Sequence, residues 1–323
     1  MANDQAQRCF TVLSLDGGGI RGIFSAAILA GIEDVLGHPV TDHFDLVVGT
    51  STGGIIAAGL GAGLRPADLL SMYVDGMTTI FPQRARLNPL RSVVRPKYRS
   101  DGLESVLRRT FGDRLLGDSV LPLVITSFDL GENEVHLFKT PHHPRLTHDW
   151  RIPVWQVAMA TAAAPTYFPA FHKPDDHLRL VDGGVWANNP AMVGVVEAVS
   201  MFNQPLDRIR VLSIGTTSDP ATRNRKLDNG GLLQWARSPS VVDVILTGQS
   251  HGAFTQVQHL LGRDSAYRLN PVAPPGLARL DAADSRDLIA KAAHVSRHFY
   301  STFETAFASH DRAPYIPHYP RPV

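Results

Sequence analysis

Residues 44–63, FDLVVGTSTGGIIAAGLGAG, contain the junction that decides the fold. The apolar run before Gly49 is typical of a buried β-strand, and the small and apolar residues after Gly53 are typical of a buried helix. Ser51 stands between these two glycines in the G-x-S-x-G spacing of a nucleophile elbow. The helix after this strained turn points the positive end of its dipole at a developing oxyanion. The stretch predicts a strand–turn–helix unit with Ser51 as the nucleophile.

Strands and helices alternate on both sides of this unit. A strand over 9–15 leads through a glycine turn to a helix over 22–37, and the runs 121–128 and 134–140 predict a hairpin. About the last hundred residues are expected to be mainly helical. This order predicts an α/β fold with a layered sheet that has an antiparallel part at the hairpin. We expect one domain over 1–323.

Composition excludes several classes of protein. The chain has 31 basic and 30 acidic residues and a formal charge of +1, so nothing in its overall charge favours binding to a nucleic-acid polymer. Cys9 is the single cysteine, and the polar N-terminal segment does not have the pattern of a signal peptide. These two observations predict a cytoplasmic protein. The most apolar stretch, residues 54–64, is well short of the ~20 residues that span a bilayer.

A second glycine cluster, LDGGGIRG, occupies residues 15–22. Backbone N–H groups at Gly17, Gly18 and Gly19, before a helix, can bind an anion because no side chain stands in the way. An acyl-transfer enzyme uses such a loop as an oxyanion hole, and Arg21 would add positive charge beside it.

Two alternatives compete for the same cluster. Gly17, Gly19 and Gly22 also fit the G-x-G-x-x-G pattern of a dinucleotide-binding (Rossmann) module, which requires an acidic residue at the end of the second strand. Asp42 and Asp45 precede or open that strand instead, so the carboxylate is in the wrong place. A plain turn that packs a helix on a sheet is the other alternative.

The third cluster, RLVDGGVWANNP at residues 179–190, places Asp182 at the end of a strand. An aspartate beside glycines often only forms a turn. It can also act directly as the base for a serine, if an apolar site raises its proton affinity. The alternative is a Ser-His-Asp esterase, in which the base is one of four histidines: His251, His259, His294 or His298.

Five motifs stand in the order found in patatin-like phospholipases: LDGGGIRG, GTSTGG, ATAAAPTYFPA (160–170), VDGGVWANNPA (181–191) and LSIGTT (212–217). The resemblance extends from about residue 10 to about residue 300. It implies a three-layer α/β/α lipid acyl hydrolase, with a central mostly parallel sheet, that cleaves membrane phospholipids through Ser51 as nucleophile and Asp182 as base. It also implies an oxyanion hole at Gly17–Gly19 with Arg21 near it, and a reaction that needs neither a metal nor an organic cofactor.

The chain further resembles bacterial effectors of antiphage systems. That resemblance implies a cyclic-dinucleotide activator, a homo-oligomer and an enzyme that acts at the membrane surface. Between Arg84 and Arg99 the chain carries six basic residues, no acidic ones and several interleaved apolar ones. This segment is interpreted either as a lid that meets anionic lipid headgroups or as a solvated loop.

Overall fold

A central β-sheet organises the computed structural model, which describes residues 8–82, 95–173, 177–218, 240–273 and 284–319. Within those residues the sheet has eight strands: β1 (Phe10–Leu15), β2 (Leu46–Thr50), β3 (Leu123–Asp129), β4 (Glu134–Lys139), β5 (Phe171–Lys173), β6 (Leu178–Asp182), β7 (Ile209–Ile214) and β8 (Ala266–Leu269). Their order in the sheet is β5-β6-β3-β2-β1-β7-β8, and β4 pairs with β3.

The sheet is mixed and mostly parallel. Strand β1 runs parallel to β2 and β7, β2 is parallel to β3, and β7 is parallel to β8. The pairs β3–β4, β3–β6 and β5–β6 are antiparallel, which confirms the predicted hairpin. Because β1, β2, β7 and β8 point the same way, the loops that follow them lie at one edge, where α/β proteins bind their ligands.

One edge of β3 is shared by two strands. Strand β2 pairs with its first part, with Thr50 opposite Thr126, and β6 pairs with its last part, with Asp182 opposite Ser127. Strand β4 occupies the other edge of β3. Strands β2 and β6 therefore run toward each other and end side by side, which brings Asp182 next to the residue that follows Thr50.

Helices cover both faces of the sheet. They are α1 (Gly22–Leu36), α2 (Thr52–Gly61), α3 (Pro66–Ile80), α4 (Asp101–Phe111), α5 (Val154–Thr161), α6 (Gly184–Ala187), α7 (Ala191–Phe202), α8 (Ser240–Leu261) and α9 (Ser285–Phe303). Successive strand residues face opposite sides. Leu13 accordingly packs in a core with α1–α5 and α9, whereas Val12 packs in a second core with α7 and α8. The fold is the expected three-layer α/β/α sandwich.

The structure adds one element that the sequence did not predict and leaves one predicted segment outside its range. The described C-terminal part is mainly helical, as expected, and β8 adds a parallel strand at Ala266–Leu269. Most of the basic segment between Arg84 and Arg99 lies outside the described residues. No helix in the described part of the chain is long and apolar enough to cross a membrane.

Candidate active site

The nucleophile elbow joins β2 to α2. Ser51 has φ 55° and ψ −124°, a conformation that L-residues rarely adopt. A β-carbon on Gly49 would lie 2.4 Å from the carbonyl oxygen of Gly53, and one on Gly53 would lie 2.2 Å from the carbonyl oxygen of Leu15. Both positions therefore accept only glycine, and the turn holds the Ser51 side chain clear of its own helix.

The Ser51 hydroxyl donates a hydrogen bond to Asp182. Its Oγ lies 2.5 Å from Oδ2 of Asp182, while Oδ1 of the same carboxyl accepts the N–H of Gly184 at 2.7 Å. Burial raises the pKa of Asp182 to about 6, although the two hydrogen bonds lower it. A carboxylate with this proton affinity can take the serine proton directly.

Two further contacts fix the elbow. The Ser51 N–H donates to Oγ1 of Thr161, at the end of α5, over 2.9 Å. The Asp182 N–H donates to the carbonyl of Ala163 over 3.0 Å. The α5 segment thus holds both members of the pair, a role of Thr161 that sequence reasoning missed because it saw there only a helix of small residues.

The glycine loop after β1 offers two backbone donors, not three. The Gly17 N–H donates to the carbonyl of Asn188 over 3.0 Å, so it is not available to an oxyanion. The N–H groups of Gly18 and Gly19 have no acceptor among the residues that the structure describes. A β-carbon on Gly18 would lie 2.0 Å from Oγ1 of Thr216, so the close approach of the loop requires glycine there.

A cavity of about 360 Å³ opens at Ser51 and Asp182. One part is lined by α2–α4 and by the segment between α5 and β5, including the apolar residues Ile55, Tyr73, Ile80, Leu103, Tyr167 and Phe168. Another part is lined by the loops after β1, β7 and β8 and by α8, including Arg21, Thr216, Thr217, Ser218, Asn270 and His251. Val185, Ile245 and Leu246 add apolar surface from α6 and α8. The site can therefore accept an amphipathic molecule, with an acyl chain in the first part.

The profile of the patatin-like phospholipase family matches residues 13–195, more than half of the chain. The chain belongs to the patatin-like phospholipase family. Over 269 residues it is 34% identical to a cGAMP-activated phospholipase of Pseudomonas aeruginosa, which covers 82% of this chain and 79% of the relative. A cGAMP-activated phospholipase of Escherichia coli is 34% identical over 258 residues, 74% of this chain and 72% of the relative. The crystal structure of VipD from Legionella pneumophila has a TM-score of 0.37 and 11% identity, covering 92% of this chain and 76% of VipD.

As a patatin-like phospholipase, the chain is a serine acyl hydrolase. Of the four histidines considered as the base, His251 lines the cavity, while His259, His294 and His298 do not. All four are exposed, and the Ser51 hydroxyl donates to a carboxylate rather than to an imidazole. The dinucleotide-binding alternative also lacks its carboxylate, because β2 ends at Thr50 and continues into the elbow.

A buried ion pair beside the glycine loop of this phospholipase was not foreseen. Asp16 immediately precedes the loop, and its two carboxyl oxygens accept from Nη1 and Nη2 of Arg268 over 2.8 and 2.5 Å. Arg268 Nη1 also donates to Oγ of Ser213 over 2.6 Å. Burial raises the pKa of Asp16 more than Arg268 lowers it. A buried carboxylate next to the loop predicts a cationic partner, but the sequence did not indicate that Arg268, on the unpredicted strand β8, would be that partner.

Proposed function

We propose that this phospholipase hydrolyses the fatty-acyl esters of membrane phospholipids with Ser51 as nucleophile and Asp182 as base. The observation that carries the proposal is the 2.5 Å hydrogen bond from Ser51 Oγ to a buried carboxylate whose pKa is raised to about 6. Nucleophile and base are thus in contact, and the base is matched to near-neutral conditions.

The reaction follows in two displacements. Ser51 Oγ attacks the ester carbonyl as its proton moves to Asp182, and the tetrahedral oxyanion is bound by the Gly18 and Gly19 N–H groups with Arg21 nearby. The Asp182 carboxyl then returns the proton to the departing lysophospholipid oxygen, which leaves an acyl ester on Ser51. Water attacks this ester, Asp182 accepts its proton, and the same oxyanion contacts stabilise the second tetrahedral species. The fatty acid departs as Ser51 regains its proton.

The test is fatty-acid release from phospholipid vesicles. Ser51→Ala and Asp182→Asn should each lower the activity by at least about 1,000-fold, because one removes the nucleophile and the other removes its base. Ser71→Ala and Asp113→Asn are matched controls, since both side chains are exposed and lie outside the cavity. Wild-type activity in Asp182→Asn would indicate that a histidine is the base instead, and His251→Ala would then be the next variant to test.

We further propose that a cyclic dinucleotide activates the enzyme in antiviral defence, through a homo-oligomer that acts at the membrane surface. Support comes from the two cGAMP-activated phospholipases that are 34% identical to this chain over most of its length. The test is to measure vesicle hydrolysis and sedimentation mass together, with and without cGAMP and related cyclic dinucleotides. Full activity of a monomer without nucleotide would contradict the regulation and leave the hydrolase assignment intact.

A further inference from the structure

Apolar side chains are exposed along one side of the cavity mouth. Val185 on α6 and Ile245 on α8 both line the cavity, and they are 42% and 57% exposed. The two helices pack together beside them, since a β-carbon on Gly184 would lie 3.7 Å from Cδ2 of Leu246. Val185 and Ile245 each follow or precede one of these packed residues, so they form a single apolar edge of the mouth.

The exposed face of α8 extends this edge outside the cavity. Thr247 and His251 line the cavity and are exposed, and Val244 precedes them by three and seven residues. Side chains at these spacings lie on one face of a helix. Val244 is 48% exposed and does not line the cavity. The apolar edge therefore reaches a residue that takes no part in the cavity itself.

The loop between α5 and β5 forms another side of the mouth. Pro165 and Thr166 line the cavity and are exposed, and Tyr167 is half-buried. Thr166 has φ 70°, and the Lys97 N–H holds this strained turn by donating to the Thr166 carbonyl over 2.9 Å. The Lys97 ammonium lies 5.4 and 5.8 Å from the ring centres of Tyr98 and Tyr167. Tyrosine and lysine side chains are common where proteins meet the headgroup region of a bilayer.

The charges at the mouth also suit a bilayer. Among the described residues that line the cavity, the carboxylates are those of Asp16 and Asp182, and both are buried. Lys97 adds a positive charge beside the loop between α5 and β5. Because the surface of a bilayer that contains anionic lipid is negative, this arrangement attracts it.

The cavity decides which partner covers the apolar edge. A phospholipid that left its leaflet through water would expose both acyl chains, and that transfer is unfavourable for every methylene group. The mouth of a cavity for such a lipid therefore has to meet the leaflet directly. A second copy of the chain would also bury the edge, but it would stand between the mouth and the substrate.

We propose that the mouth of the cavity docks on a phospholipid bilayer. Val185, Val244 and Ile245 enter the boundary between headgroups and acyl chains, where their exposed surface is removed from water. Tyr167 and Lys97 lie at the level of the headgroups. The inference rests on the proposed hydrolase function and adds to it the surface through which the lipid enters.

Vesicle binding tests this surface without the reaction. The Ser51→Ala protein is sedimented with vesicles of phosphatidylethanolamine and phosphatidylglycerol, with any activating cyclic dinucleotide at saturation. An added Val244→Asp should lower the vesicle partition coefficient about 10-fold, because a charge replaces an apolar group at the boundary. An added Val244→Trp should raise it by about 5-fold, because indole favours the interface. Val196→Asp, at a similarly exposed valine of α7 outside the cavity, is the matched control.

Hydrolysis then separates docking from chemistry. With Ser51 intact, Val244→Asp should lower fatty-acid release from the same vesicles about 10-fold. Hydrolysis of p-nitrophenyl butyrate, which reaches the site from solution, should stay within about twofold of the wild-type rate. Val196→Asp should leave both rates unchanged.

Several results would overturn the docking surface. Equal losses on vesicles and on p-nitrophenyl butyrate in Val244→Asp would make Val244 structural. Vesicle binding that neither Val244→Asp nor Val244→Trp changes would place the contact elsewhere, and a lower sedimentation mass of Val244→Asp would then assign the edge to an interface between copies of this chain. A wild type that hydrolyses neither substrate would contradict the proposed function instead, and the binding of the Ser51→Ala protein would still test the surface.

Discussion

Replacing Asp182 by asparagine should abolish hydrolysis and stabilise the folded protein at neutral pH. The carboxyl has a pKa of 3.8 in its reference state and about 6 in the folded protein, and burial is the largest cause of the increase. A rise of about 2 units corresponds to about 3 kcal/mol, at about 1.4 kcal/mol per unit. This is the cost of keeping the base ionised in its buried site.

The sign follows from proton binding. The folded protein holds the Asp182 proton more tightly than the unfolded chain, so the contribution of this group is most favourable below about pH 4. Stability is lost as the pH rises from there through about 6. Asparagine cannot ionise, and it can still accept from Gly184 and donate to Ser51. The free energy of unfolding of Asp182→Asn should therefore match that of wild type near pH 4 and exceed it by about 2–3 kcal/mol at pH 7.

The assay is urea unfolding of both proteins, followed by tryptophan fluorescence at intervals between about pH 4 and pH 8. Other titrating groups contribute to both curves and cancel in the difference. Asp113→Asn, which removes an exposed carboxylate, should change stability by no more than about 0.5 kcal/mol at any pH. A difference between Asp182→Asn and wild type that does not change with pH would refute the burial of an ionised base.

Four further results are expected. The kcat/KM for phospholipid should rise with pH to a plateau above about 6 and should have about a tenth of its plateau value near pH 5. The midpoint pH of this profile should barely change with temperature, because the ionisation of a carboxyl group has little enthalpy, unlike that of imidazole. In urea unfolding, Arg268→Met should cost about 3–5 kcal/mol because it leaves the buried Asp16 carboxyl without its partner, and an added Asp16→Asn should recover most of this loss. An Arg268→Met variant as stable as wild type would contradict the buried pair. Gly18→Ala should lower kcat by about 100-fold or more with an unchanged circular dichroism spectrum, because a β-carbon meets Thr216 and displaces the oxyanion donors. Thr217 has a φ of 73°, so in urea unfolding Thr217→Gly should raise the free energy of unfolding by about 1 kcal/mol through relief of this positive φ.

Sequence patterns predicted the parts of the site that local chemistry determines. Gly49 and Gly53 had to be small because of the turn between β2 and α2, and the packing around both leaves no room for a β-carbon. The hairpin and the parallel strands followed from hydrophobic runs and turn residues of ordinary length. These features depend on residues close together in the chain, so a short window of sequence contains the information.

The features that the sequence did not reveal depend on contacts between distant segments. In the sequence, Gly17 cannot be distinguished from the two glycines that follow it. Its N–H is unavailable to an oxyanion because it donates to the carbonyl of Asn188, which the short helix α6 positions. Strand β8 is four residues long and half-buried, too short for its periodicity to distinguish it from a loop. The partner of Asp16 was not predicted either, because Arg268 belongs to that strand.

The pairing of the strands, rather than any sequence motif, places the base beside Ser51. Because β2 and β6 share one edge of β3 and run toward each other, Ser51 and Asp182 are brought together by backbone pairing, with Thr50 and Asp182 opposite adjacent residues of β3. A triad uses its histidine as a base whose pKa already lies near neutrality. Here the low exposure of Asp182, 5%, gives a carboxylate a pKa of about 6 and so supplies the same proton affinity. The position of the base in this enzyme thus depends on where strand β6 ends. A substitution elsewhere that admitted water to Asp182 would lower the pKa of this carboxyl and so weaken the base, although Ser51 and Asp182 themselves would be unchanged.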